Sequence, residues 1–206
     1  MNPKFFVLGG LAFAALGLAA LARSQITFIL GRPYLTTVKS ATQGQIQLPV
    51  LKLTTFCQTY VCRELDPNPN QAPGVAVYEW FESTLSPAQE KQYLSTLSLN
   101  SRAGMVSNVS VYSFRKAASS LTPGESKAFQ ALGLAVTGQS LQSAALARCN
   151  RQLVTALQST PKARCLLVKG QLNTAQGRKL PYQLQLTADK DMDSGRFVSG
   201  LNAWIP

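Results

Sequence analysis

The sequence predicts an α+β fold: a mainly antiparallel sheet with two consecutive helices packed on one face and a C-terminal three-strand meander. Three observations carry this. Two helical stripes, 122–137 and 139–158, follow each other with only Gly138 between them. Residues 180–188 alternate strictly, with Tyr182, Leu184, Leu186 and Ala188 on one side and Gln183, Gln185 and Thr187 on the other, the period of a half-buried strand. The strand-like segments 164–172, 180–188 and 196–205 follow one another through turns with no helix between them, which predicts an antiparallel meander, and further strand-like segments occur at 75–81 and 105–114.

The elements follow in order. Lys4, an apolar stretch at 5–22 and small–x–small patterns at Ala20-Leu21-Ala22 and Ala22-Arg23-Ser24 read as a signal peptide over residues 1–24. An uncleaved membrane anchor is the rival reading, because the apolar run is just long enough to span a bilayer. Residues 25–206 are expected to form one domain. The apolar run 26–30, stopped by Gly31-Arg32-Pro33, predicts a first strand. Residues 45–55 alternate through Ile46, Leu48 and Val50, then change phase at Pro49, which predicts a bulged edge strand. Residues 66–74 hold three prolines and form an irregular loop. Ser86-Pro87 predicts a helix running to about Leu97. Thr122-Pro123-Gly124-Glu125 is a capping box with proline in the first helical turn. In the second helix Leu141, Ala145, Cys149, Leu153 and Leu157 share a face, with Arg148 and Arg151 on the polar side.

Charged residues are only 14% of the chain, against about a quarter in ordinary domains, and polarity comes instead from Ser, Thr, Gln and Asn. Four cysteines follow the leader: Cys57, Cys62, Cys149 and Cys165. In an exported chain an even number reads as disulfides, and sequence proximity favours Cys57–Cys62 and Cys149–Cys165 among three connectivities. Zinc suits neither these spacings nor a chain without histidine. The expected location is therefore extracytoplasmic: periplasm, envelope or secreted.

The absence of histidine excludes Ser-His-Asp and Cys-His sites and the usual neutral-pH general base. No pair of carboxylates is marked by its context, and Ser119, Ser120 and Ser126-Lys127 are the sort of adjacency a Ser-rich chain gives by chance. The sequence favours a non-enzymatic protein; the alternative is a secreted enzyme with an unmarked Ser/Lys or carboxylate site. Asp189, Asp191 and Asp193 alternate before Gly195 in a turn, a pattern that supplies hard oxygen ligands to calcium; it lacks the glutamate that closes an EF-hand loop, and an acidic turn that binds nothing is the competing reading.

Formal net charge is +11, and nearly all of it sits in residues 96–188, which hold eleven Lys/Arg and one acid, Glu125. Arg148, Arg151, Lys162, Arg164, Lys169, Arg178 and Lys179 would make one patch if the first hairpin of the meander lay beside the helix. Such a surface attracts an anionic partner, a polymer or an envelope protein. Aromatic platforms are scarce among these charges, which argues against sequence-specific nucleic-acid binding. Membrane contact is expected only through an uncleaved leader. Trp80 and Trp204 read as core anchors.

Overall fold

The computed structural model describes residues 26, 28–40, 43–66, 72–82, 95–115, 120–174, 177–190 and 197–206. The leader, most of the proline-rich loop, the Ser86-Pro87 helix start, Ser119, Asp191 and Asp193 lie outside them. The architecture is α+β and mostly antiparallel. A two-stranded hairpin, β1 (Leu35–Ser40) with β2 (Gly44–Pro49), precedes a sheet of seven strands. These are β3 (Tyr60–Glu64), β4 (Val75–Glu82), β5 (Ser95–Arg102), β6 (Met105–Arg115), β7 (Lys162–Asn173), β8 (Lys179–Lys190) and β9 (Phe197–Trp204). Their spatial order is β3-β4-β5-β6-β9-β8-β7, and every neighbouring pair is antiparallel. Among the described residues the α-helices are α1 (Thr55–Thr59), α2 (Pro123–Thr137) and α3 (Ser143–Ala156).

The helix starts follow from local chemistry. The Thr122 hydroxyl accepts from the Glu125 N–H at 3.2 Å, and the Glu125 carboxylate accepts from the Thr122 N–H at 2.7 Å, so two donors that the first turn leaves orphaned are satisfied. Glu125 is buried, and the Ser113 hydroxyl of β6 donates to it at 2.6 Å, which ties the start of α2 to the sheet. α2 stops at Gly138, which takes the left-handed conformation. α3 buries Leu146, Cys149, Asn150 and Leu153, a stripe at helical spacing. Cys149 is bonded to Cys165 of β7, and Cys57 of α1 to Cys62 of β3, so all four cysteines are disulfides.

The core lies on the side of the sheet that Cys165 faces. Leu97, Leu99, Val109, Val111, Leu184, Leu186, Leu201 and Ala203 occupy alternate positions there, with Phe129, Leu132 and Val136 of α2 and the α3 stripe buried in the same cluster. At the other end of the sheet Trp80 packs edge-on to Phe56 and Tyr60, centroids 5.7 and 5.5 Å apart. Near it, the Tyr34 hydroxyl donates to Glu64 at 3.3 Å and lies 3.0 Å from the Tyr78 hydroxyl, which is left as the donor of that pair. Burial first, then donation to Tyr34, pushes the Tyr78 phenol well above its ordinary value.

Four expectations are corrected. Residues 28–30 are not a strand: Ile29 and Leu30 are fully buried, and their N–H groups donate to the carbonyls of Ala135 and Val136 at 3.1 Å, satisfying the C-terminal turn of α2. Their hydrophobicity reports burial, not pairing. The phase change at Pro49 is not a bulge either. β2 ends there, and a 3-10 turn at Val50–Leu53 tucks Val50 and Leu51 inward. Bulges occur instead at Asn100/Ser101 and Leu166/Val168. Ser95–Leu97, expected in a helix, belongs to β5, where Leu97 and Leu99 alternate into the core. α3 begins at Ser143 rather than 139, because Leu141 is buried against Gly133, where a Cβ would come within 2.7 Å of it.

Candidate anion-binding face

The register of the last three strands decides where each basic side chain goes. Cys165 points toward α3, to which it is bonded. Successive strand residues take opposite sides, so Arg164 points away from α3. It pairs with Thr187, which pairs with Gly200, which pairs with Tyr112 of β6, giving one row across four strands. Lys162 opposes Asp189, two places along, on the same side. Strict alternation would put Lys169 on the opposite side from Arg164, five residues before it. The bulge at Leu166/Val168 resets the phase: Lys169 opposes Gln183, and Gln183 shares a side of β8 with Thr187. Lys179 opposes Asn173 on that side at the strand's end. Lys162, Arg164, Lys169 and Lys179 are all exposed and lie on one side of the β7–β8 hairpin.

The remaining members of the predicted patch lie elsewhere. Arg148 and Arg151 are exposed on α3, across the hairpin from the other four. The helix covers the hairpin rather than lying beside it, because the Cys149–Cys165 bond and the buried Leu146 and Leu153 hold it face-on. Arg178 sits in the β7–β8 turn and lines a separate cleft at the end of the sheet.

Around Arg164 the sheet surface forms an open groove of about 570 Å³. Tyr112, Thr187, Val198 and Asn202 contribute to its lining, with Lys162, Arg164 and Lys190 around them. The Asn202 amide donates to the Thr187 hydroxyl at 3.1 Å, and that hydroxyl donates to the Gly200 carbonyl at 3.3 Å. Gly200 is required here: a Cβ would stand 2.9 Å from both Thr187 Oγ1 and the Tyr112 ring. Lys190, which is not among the seven basic residues the sequence points to, also borders the groove.

Asp189 sits at the end of β8 and pairs with Lys162 at 3.1 Å. Both partners are well exposed, so the pair contributes little to stability and can exchange for another anion. Asp191 and Asp193 lie outside the described residues, and no group of three metal-ligating side chains occurs among the described ones. Trp80 is a core anchor, 1% exposed. Trp204 is not, because Leu201 and Ala203 take the core side of β9 and leave Trp204 on the other. Among the described residues no helix is long and apolar enough to cross a membrane.

No protein-family model matches this chain, and neither a curated protein nor a solved structure matches it. The fold and the site define a class only: a disulfide-bonded α+β protein with a basic, polar sheet surface.

Proposed function

We propose that this is an exported, non-enzymatic envelope or secreted protein that holds an anionic polymer against the basic side of its β7–β8 hairpin. In this reading residues 1–24 are a leader and 25–206 a single domain. α2 and α3 together cover one face of the sheet, and β7, β8 and β9 form a meander whose other face receives the polymer. The observation that carries the reading is the convergence of Lys162, Arg164, Lys169 and Lys179 on one side of a single hairpin, brought about by the bulge. Around the groove the polar surface of Tyr112, Thr187 and Asn202 offers hydrogen bonds and a ring without a site for base readout. The two disulfides agree with maturation in an oxidising compartment.

The test compares two sets of substitutions in binding to a labelled polyphosphate. Lys162→Gln, Arg164→Gln, Lys169→Gln and Lys179→Gln together should weaken binding about tenfold or more, while Arg148→Gln with Arg151→Gln should change it less than about twofold. Equal weakening by both sets would mean that overall charge, not this face, attracts the polymer.

A further inference from the structure

A second cavity opens at the end of the sheet, where the β5–β6 turn, the β7–β8 turn and the end of β9 meet. It is an open cleft of about 1070 Å³, just above the range of about 300–1,000 Å³ for small-molecule sites. Met105, Leu180, Trp204 and Ile205 give it an apolar lining, and Arg102 and Arg178 contribute two exposed guanidinium groups. Among the described residues neither arginine has a carboxylate partner. A smaller pocket of about 70 Å³ shares Gly31, Met105 and Thr174 with it and is lined by Arg32. Arg32 stacks over Phe28 at 4.6 Å, and its Nε is buried with no hydrogen-bond partner. A buried donor left unsatisfied costs about 1–3 kcal/mol, which an acceptor oxygen reaching it would recover.

We propose that this cleft binds an anionic amphiphile, with a carboxylate or phosphate head held by Arg102 and Arg178 and an apolar body laid along Trp204, Ile205, Leu180 and Met105. The chemistry follows from the lining. Guanidinium groups engage such heads through paired charge-assisted hydrogen bonds, and the apolar floor rewards a ligand that brings its own hydrocarbon. Trp204 shares a register row with Gln183 and Lys169, so the cleft borders the hairpin face, but its apolar floor is of no use to a hydrophilic polymer.

The test is calorimetric titration of the purified protein with dodecyl phosphate below its micelle concentration. Parallel arms use dodecanoate, dodecyltrimethylammonium, inorganic phosphate and anionic phospholipid vesicles. Saturable one-to-one binding of both anionic amphiphiles is expected, with inorganic phosphate and the cationic amphiphile at least about tenfold weaker. Arg102→Gln with Arg178→Gln should weaken dodecyl phosphate about tenfold or more without lowering the melting temperature, since both side chains are exposed. Lys162→Gln with Arg164→Gln, at residues that line the other groove, should leave this binding unchanged. Dodecyl phosphate should also shift tryptophan emission, and Trp204→Phe should abolish the shift while the buried Trp80 remains. Equal binding of the cationic and anionic amphiphiles, indifference to the double substitution, or binding to vesicles alone would each overturn the proposal.

Discussion

Removing the Cys149–Cys165 bond tests how the long helix is held to the sheet. The two residues are 16 apart, and closing a loop of that length restricts the unfolded chain by about 3 kcal/mol at 25 °C. Cys57 and Cys62 are 5 apart, for which the same relation gives about 2 kcal/mol. The Cys149 side chain is fully buried beside Leu146 and Leu153, so Cys149→Ala adds a cavity term of about 1 kcal/mol. Cys149→Ala with Cys165→Ala should therefore cost about 4 kcal/mol in urea unfolding followed by far-ultraviolet circular dichroism. Cys57→Ala with Cys62→Ala should cost about half as much. In thermal melts the first variant should fall by about 8–16 °C, at roughly 2–4 °C per kcal/mol for a domain of this size. A double variant at 149 and 165 as stable as the parent, or less affected than the one at 57 and 62, would refute the view that this bond clamps α3 over the hairpin.

Three further outcomes follow from the fold. Gly170 opposes Tyr182, and a Cβ there would stand 2.5 Å from the buried ring, so Gly170→Ala should destabilise by about 1–3 kcal/mol in the same urea assay. Thr122→Ala removes the hydroxyl half of the capping box and should cost about 1 kcal/mol, whereas Thr122→Ser should cost only a few tenths. The folded Tyr78 phenol titrates above its unfolded value of 10.0, so its contribution is complete below that pH and is lost as pH rises toward the folded value. Unfolding free energy measured across the alkaline range should fall above pH 10 in the parent and fall less steeply in Tyr78→Phe.

What could be read from sequence was local. The capping box at Thr122, the alternation through Tyr182 to Ala188 and the two disulfide pairings each depend on residues close together in the chain, and each is present in the structure. Features set by distant contacts were misread. Residues 28–30 look like a strand because they are apolar, yet what they meet is the end of α2, more than a hundred residues on. Ser95–Leu97 follow a helix-start signal, but pairing of all three with β6, and of Thr96 and Leu97 also with β4, holds them extended. For the candidate site, the seven basic residues could be named but not sorted. Their sides depend on a bulge and on which face α3 covers, and neither leaves a mark in local composition. Lys190 and the cleft arginine Arg102 carried no signal beyond charge.

The salt dependence of polymer binding bears most directly on the claim that the hairpin face holds a polyanion. Four neutralised phosphates on a flexible strand release counterions to give a slope of about −3 in log K against log salt concentration, at roughly −0.7 per contact. The parent protein titrated with polyphosphate between low and physiological salt should show that slope. The protein lacking the cations at 162, 164, 169 and 179 should fall to about −1 or shallower. A parent slope near zero, or a slope that survives those four substitutions, would contradict the account.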